Sequence, residues 1–344
     1  MAPASSPRMR SPHCPPPPAT TGSPPISSAA GTASLTCSTK SVAVHGGPAT
    51  LRPASATSSS RPCIDNSTAG PQTASSTSSA PASTQPRRGH QTPYDQRKSV
   101  KGLSIERLWP VGDVAAAVRP RREGGAVLGV ERGFALEDAD GTLTRLPALW
   151  GDDRGIRMNE GGCDPEGRFY CGSMAYDKRP GAGALYRLAA DGSVTVVLTG
   201  ATVSNGLEWS PDGTLAYYND TPTHRIAVFD YDPEAGLTGQ RTFVAIPAGA
   251  GRSDGLTVDA QGGVWVALNN GGAVRSYSSA AVLDEVVELP ARKVTACTFG
   301  GPRLDELFIT TSREDLEPTE DPLAGSLFRA RAGVAGLPVR EFAG

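Results

Sequence analysis

At 344 residues and a formal net charge of −2, the chain has room for one large domain and lacks the basic surplus that marks nucleic-acid binding. No stretch approaches the roughly 18 consecutive apolar residues of a membrane span, so neither nucleic acid nor a membrane is an expected partner. The six cysteines form no Cys-x-x-Cys pair, which leaves zinc ribbons and thioredoxin-like motifs without support.

Residues 1–95 differ in kind from the rest. Roughly half are Ser, Thr or Pro, no Phe, Tyr or Trp precedes Tyr94, and no Glu precedes Glu106. Such a composition buries too little apolar surface to offset the entropy of ordering, so a disordered leader is expected here. Three origins stay open: a wrongly placed start or shifted reading frame, which is preferred; a plain disordered tail; and an organellar transit peptide, which the Arg content and scarcity of acids allow. Cys14, Cys37 and Cys63 lie in this leader. Cys163, Cys171 and Cys297 lie in strand contexts and read as buried free thiols in a reducing compartment, which makes the cytoplasm the expected location.

From about residue 100 the composition turns to Val, Leu, Gly and Asp, with regular turn signals and almost no helical periodicity. Ser104–Trp109 reads as an isolated strand. Val114–Val118, Ala126–Val130, Phe134–Leu136 and Thr142–Leu146 make a four-stranded unit, with Asp140-Gly141 as a hairpin turn. Further units run from about Arg157 to Leu198, Val203 to Ile246, Asp254 to Leu289, and Val294 to Ala330.

Within these units one phrase occurs three times. Asn159-Glu-Gly-Gly-Cys-Asp164-Pro-Glu-Gly167, Asn205-Gly-Leu-Glu-Trp-Ser210-Pro-Asp-Gly213 and Asp254-Gly-Leu-Thr-Val-Asp259-Ala-Gln-Gly262 each start on Asn or Asp, run a short strand, turn on Gly and return as an apolar strand. An all-β repeat with a period of roughly 40–50 residues is the pattern of β-propeller blades. Equivalent positions of such blades lie around one axis. Asn159, Asn205 and Asp254 are therefore expected to converge, and oxygen-bearing side chains at one focus suit a hard cation.

Competing chemistries find less support. Gly251-Arg-Ser253-Asp-Gly255 fits the Gly-x-Ser-x-Gly pattern, but that motif needs a strand–turn–helix elbow, and a hairpin follows instead. His224 is the only histidine after residue 100, and one loop histidine supports neither a histidine-rich metal site nor a catalytic triad. Asp138-Ala-Asp140-Gly141 opens like an EF-hand loop but lacks its continuation. Trp209, Trp265 and Tyr217 read as blade packing.

The phrases Arg157-Met-Asn159-Glu-Gly-Gly-Cys-Asp-Pro-Glu-Gly-Arg-Phe-Tyr-Cys-Gly-Ser-Met, Ser204-Asn205-Gly-Leu-Glu-Trp-Ser, Ser253-Asp254-Gly-Leu and Val294-Thr-Ala-Cys-Thr-Phe-Gly-Gly resemble the family of senescence marker protein 30 (regucalcin), gluconolactonases and luciferin-regenerating enzymes. The resemblance runs from about residue 100 to Gly344. It implies an all-β, six-bladed propeller with one divalent cation on the axis, Ca²⁺ or Zn²⁺ with Mg²⁺ or Mn²⁺ as further options, and hydrolysis of a small-molecule sugar lactone. It implies metal binding by Asn205 and Asp254, with Asp254 also catalytic, and substrate binding by Arg157, Asn159 and Asp177. At Asp177 many members of the family have a substrate-contacting Glu, so the match there is chemical and not identical. The family's remaining metal ligand is a Glu on the first blade, in a Gly-Glu-Gly-Pro-Val-Trp type phrase, which this chain lacks. The expectation is thus a propeller whose first blade is missing or unrecognisable and whose lactonase activity is impaired for want of that Glu. The alternative is a non-catalytic propeller that binds calcium or sugar acids, or serves as an interaction scaffold.

Overall fold

The computed structural model of the chain describes the strand Thr50–Pro53 and residues 111–151, 155–317 and 319–344. Apart from one three-residue 3-10 turn, Thr221–Thr223, every element is a strand. No helix among the described residues is long and apolar enough to cross a membrane. The expected strand Ser104–Trp109 lies outside the described residues.

In chain order, β1 is Thr50–Pro53. Blade A holds β2 (Ala115–Pro120), β3 (Ala126–Val130), β4 (Gly133–Glu137) and β5 (Leu143–Arg145). Blade B holds β6 (Ile156–Cys163), β7 (Phe169–Ala175), β8 (Gly183–Leu188) and β9 (Val194–Ala201). Blade C holds β10 (Ser204–Trp209), β11 (Leu215–Asp220), β12 (Arg225–Asp232) and β13 (Gly236–Ala245). Blade D holds β14 (Arg252–Val258), β15 (Val264–Asn269), β16 (Ala273–Tyr277) and β17 (Leu283–Glu288), and blade E holds β18 (Val294–Gly300), β19 (Glu306–Thr311) and β20 (Leu327–Arg331). Each blade is an antiparallel meander in sequence order. β1 pairs antiparallel with β17 as a fifth strand of blade D, so one strand falls inside the Ser/Thr/Pro-rich leader.

The described residues thus form five blades of a β-propeller, matching the five units paced out along the sequence; the sixth blade that the family resemblance implies is not among the described residues. The first strands pack in series, β2 on β6, β6 on β10, β10 on β14 and β14 on β18. Burial follows this order. The second strands β3 and β7 are buried at every position, and β15 at all but its last. The outer strands β9, β13 and β17 are largely exposed or half-buried. Inner strands have sheet on both faces and read as continuous apolar runs, whereas outer strands meet water.

The cores lie between blades. Phe134 of blade A meets Phe169 of blade B edge-on at 5.8 Å, Tyr170 of blade B meets Trp209 of blade C at 5.3 Å, and Trp265 of blade D meets Phe299 of blade E at 5.7 Å. Such pairs add to the burial of large side chains, which itself stabilises by about 1.5–3 kcal/mol each. The reading of Trp209, Trp265 and Tyr217 as packing residues holds, since all three are buried. Blade A also carries a second apolar cluster, Val111, Ala126, Leu128, Val130 and Ala135, separate from the one it shares with blade B. A sheet apolar on both faces needs a neighbour on each.

The C-terminal tail stitches the blades together. Ala260 N–H of blade D donates to Ala335 O at 2.9 Å, and Gly336 N–H donates to Leu304 O beside blade E at 2.8 Å. Arg340 pairs with Glu208 of blade C at 3.2 Å. Ala343 N–H donates to Gly167 O of blade B, and Phe342 N–H to Pro120 O of blade A, both at 2.8 Å. Arg121 Nε closes the path by donating to Gly344 O at 2.6 Å. Phe342 is fully buried in the cluster between blades A and B. Replacing it removes a buried ring from the point where the tail is anchored, so Phe342→Ala is expected to cost about 3–5 kcal/mol and to lower the thermal midpoint by roughly 10 °C. Calorimetry checks this, and an unchanged midpoint would show that the tail does not hold the ring.

Candidate functional site

In all five blades the pairing of the first strand slips at its head. The shifts fall between Ala115 and Ala117, Met158 and Glu160, Ser204 and Leu207, Ser253 and Leu256, and Val294 and Ala296. A bulge leaves a residue out of the ladder and re-aims its side chain. The residues so released are Ala116, Asn159, Asn205 with Gly206, Asp254 with Gly255, and Thr295. The recurring Asn or Asp of the sequence is therefore the bulge residue of blades B, C and D.

The glycines that follow have separate reasons. Gly206 has φ +95°, a conformation that side chains rarely adopt. At Gly255 a Cβ would sit 2.9 Å from Ala296 Cβ, so the backbone of blade D passes too close to blade E for any side chain.

Of the three repeat residues expected to converge, Asn205 and Asp254 bond each other directly, while Asn159 bonds Arg157 and the Ser204 carbonyl instead. Asn205 Nδ2 donates to Asp254 Oδ1 at 2.5 Å and to Thr221 Oγ1 at 3.1 Å. Asp254 Oδ2 accepts from Asn269 Nδ2 at 3.0 Å. The Asp254 carbonyl accepts from Asn219 Nδ2 at 2.7 Å, and Asn219 Oδ1 in turn accepts from Ser253 Oγ at 2.7 Å. Ser253 is fully buried and spends its hydroxyl on Asn219, which removes it as a nucleophile.

Arg157 and Asn159 form a second pair on blade B. Arg157 Nη1 donates to Asn159 Oδ1 at 2.9 Å, and Asn159 Nδ2 donates to the Ser204 carbonyl of blade C at 2.8 Å. The Arg157 guanidinium lies 5.8 Å from the centroid of the Tyr176 ring. Burial pulls its pKa below the ordinary arginine value, while Tyr176, Glu314 and Asp254 act in the opposite sense. Glu314 comes from blade E, and its carboxylate pairs with Lys178 of blade B at 3.6 Å. The Tyr176 phenol donates to Glu131 at 2.8 Å, and burial, then that bond, push its pKa to about 12.

Asp177 bonds Arg179 and none of these groups. It is exposed in the turn after β7 and accepts from Arg179 N–H and Nη1, both at 3.2 Å. An Asp bonding the backbone two residues on is an ordinary Asx turn. Asn219, Asn269, Thr221 and Tyr176 were not singled out by the sequence. A signal for two of them existed: Ser173, Asn219, Asn269 and Thr310 are polar residues near the ends of the apolar return strands.

Asp254 and Asn205 supply oxygen donors suited to a hard cation. Among the described residues no group of three or more His, Cys, Asp or Glu is placed to hold a metal. Asn205 would offer its oxygen once the amide is turned over, and the Thr221 hydroxyl, an acceptor now, can then donate to it. The donors fit a cation whose remaining positions are filled by water.

A family model described as the SMP-30/Gluconolactonase/LRE-like region matches residues 84–313. Regucalcin of Xenopus laevis is 34% identical over 259 residues, covering 72% of this chain and 85% of that protein. Regucalcin of Homo sapiens is 33% identical over 247 residues, covering 68% and 81%. Among solved structures, a luciferin-regenerating enzyme superposes with a TM-score of 0.60 at 28% identity, over 67% of this chain and 82% of its own. A regucalcin of Agrobacterium tumefaciens, described as a calcium-binding protein, superposes with a TM-score of 0.59 at 29% identity, over 67% and 78%. With all five bulges inside the matched span, the chain belongs to the SMP-30/gluconolactonase/LRE-like family.

Proposed function

We propose that the protein is a sugar-lactone hydrolase dependent on one divalent cation, and that Asp254 carries the reaction. The observation that carries this reading is the meeting of Asn205 and Asp254, bulge residues of two different blades, at 2.5 Å. Asp254 and Asn205 would hold the cation. The oxygen-only donor set favours Ca²⁺, Mg²⁺ or Mn²⁺ over Zn²⁺, which more often takes His or Cys. A bound cation supplies polarisation of the lactone carbonyl and a lower pKa for water. Asp254 accepts a proton from the water as its oxygen bonds to the lactone carbonyl carbon, and returns that proton to the ring oxygen as the ring carbon–oxygen bond breaks. The product is the open hydroxy acid. Arg157 and Asn159, already bonded to each other, orient the sugar hydroxyls. Tyr176 covers the Arg157 guanidinium, and Asp177 meets the part of the sugar that rises to the rim once it releases Arg179.

Cys163, Cys171 and Cys297 are free and buried, which suits a reducing compartment such as the cytoplasm. The same reading makes the chain a poor catalyst. No Glu precedes Glu106, so the first-blade carboxylate of the family has no counterpart there. Calcium affinity depends on ligand charge, and one carboxylate neutralises a divalent ion incompletely. That absence favours, as a second reading, a propeller that binds a cation or sugar acid without turnover.

Two experiments separate these readings. Calorimetric titration with Ca²⁺ and Zn²⁺ is expected to show cation binding weakened about 100-fold in Asp254→Ala and unchanged in Arg157→Ala. In the same variants Arg157→Ala raises KM for a lactone about tenfold. Equal cation affinity in Asp254→Ala and the parent rules the site out. Separately, a family-like first blade with its Glu joined ahead of residue 100 is expected to raise gluconolactone turnover about tenfold or more at saturating cation. Equal rates with and without that segment would mean that the missing Glu is dispensable.

A further inference from the structure

Both oxygens of the Asp254 carboxylate are engaged, and by donors of different kinds. Oδ1 accepts from Asn205, a bulge residue of blade C, at 2.5 Å. Oδ2 accepts at 3.0 Å from Asn269, the last residue of β15, which pairs with Arg252 within the same blade as Asp254. The backbone at Asp254 is held as well, through the Asn219 bond to its carbonyl.

The two side-chain bonds respond differently to a cation. Asn205 can give an oxygen to the ion only with its amide turned over, and in that orientation it no longer donates to Oδ1. The Asn269 bond is made to the other oxygen, so it persists. We propose that Asn269 is the positioning residue for Asp254: its amide holds Oδ2 and thereby aims Oδ1 at the axis, with or without the ion. This inference rests on the lactonase reading, which gives Asp254 both the cation and the proton. In this role Asn269 acts on the ion and the lactone only through the carboxylate it bonds.

The physical reason is torsional. The terminal torsion of an Asp side chain is broad and roughly two-fold, so the carboxylate turns easily unless something holds one oxygen. A hydrogen bond to an ionised group is among the stronger ones and is directional. The pairing of β14 with β15 is made by backbone groups, so the fold of this hairpin does not depend on the Asn269 amide.

The test uses the full chain and two substitutions. Asn269→Leu keeps the size of the side chain without its donor, and Asn269→Gln keeps an amide. Mn²⁺ and Ca²⁺ binding are measured by calorimetry, steady-state constants for gluconolactone at saturating cation, and the thermal midpoint by scanning calorimetry. Asn269→Leu is expected to weaken Mn²⁺ binding about tenfold and to lower kcat about tenfold, with KM within about twofold and the midpoint within about 3 °C. Asn269→Gln is expected to recover part of both losses. Should the Leu variant not fold, Asn269→Ser, whose hydroxyl is too short to reach Oδ2, is expected to show the same losses. Equal Mn²⁺ affinity in the parent and the folded variant overturns the role of Asn269 and leaves the lactonase reading standing. A parent that binds no cation overturns both.

Discussion

The bulge at the head of each first strand is the constraint on which the rest depends. A strand that stayed in register would send alternate side chains to its two faces, into the packing between blades. Slipping the pairing by one or two residues frees a side chain from that alternation. The slip recurs in all five blades, which makes it a property of the fold. What each blade places there then decides the chemistry. Blade A offers Ala116, blades B, C and D offer Asn159, Asn205 and Asp254, and blade E offers Thr295, whose hydroxyl bonds Thr310. The polar side of the ring is therefore concentrated on three successive blades.

Holding those residues in place falls to contacts between blades. Asn159 reaches the Ser204 carbonyl, Asn205 reaches Asp254, and Asn219 reaches the Asp254 carbonyl. Each bond crosses from one blade to the next, so the site and the ring are built from the same interactions. A buried polar group left unpaired costs about 1–3 kcal/mol, and losing any one of these bonds would loosen its neighbour too. On the tail side of the ring, residues 335–344 serve a comparable purpose through backbone bonds to blades A, B and D and to the Leu304 turn of blade E.

Much of this was legible in the sequence. The threefold phrase marked the bulge residues, because Asn159, Asn205 and Asp254 open the same strand–turn–strand phrase in three successive blades. The hairpin after Ser253 excluded a nucleophile elbow, and the buried Ser253–Asn219 bond supplies the structural reason. Other parts were hidden. Asn219 and Asn269 stand in apolar return strands outside the repeated phrase, and their partner, Asp254, is named only by three-dimensional proximity. Asp177 looked like a substrate carboxylate from the family alone, while its own neighbour Arg179 engages it in a turn. The number of blades was not fixed by periodicity: five sheets are described, and blade A carries a second buried apolar cluster beyond the one it shares with blade B.

The central claim is that the bulge residues of blades C and D share one cation on the propeller axis. Anomalous diffraction from crystals soaked in Mn²⁺ tests it most directly, because the ion is located without reference to activity. The account predicts a single strong peak between the Asp254 carboxylate and the side chain of Asn205, at about 2.0–2.6 Å from their oxygens. A peak elsewhere, or none at saturating Mn²⁺, would contradict it.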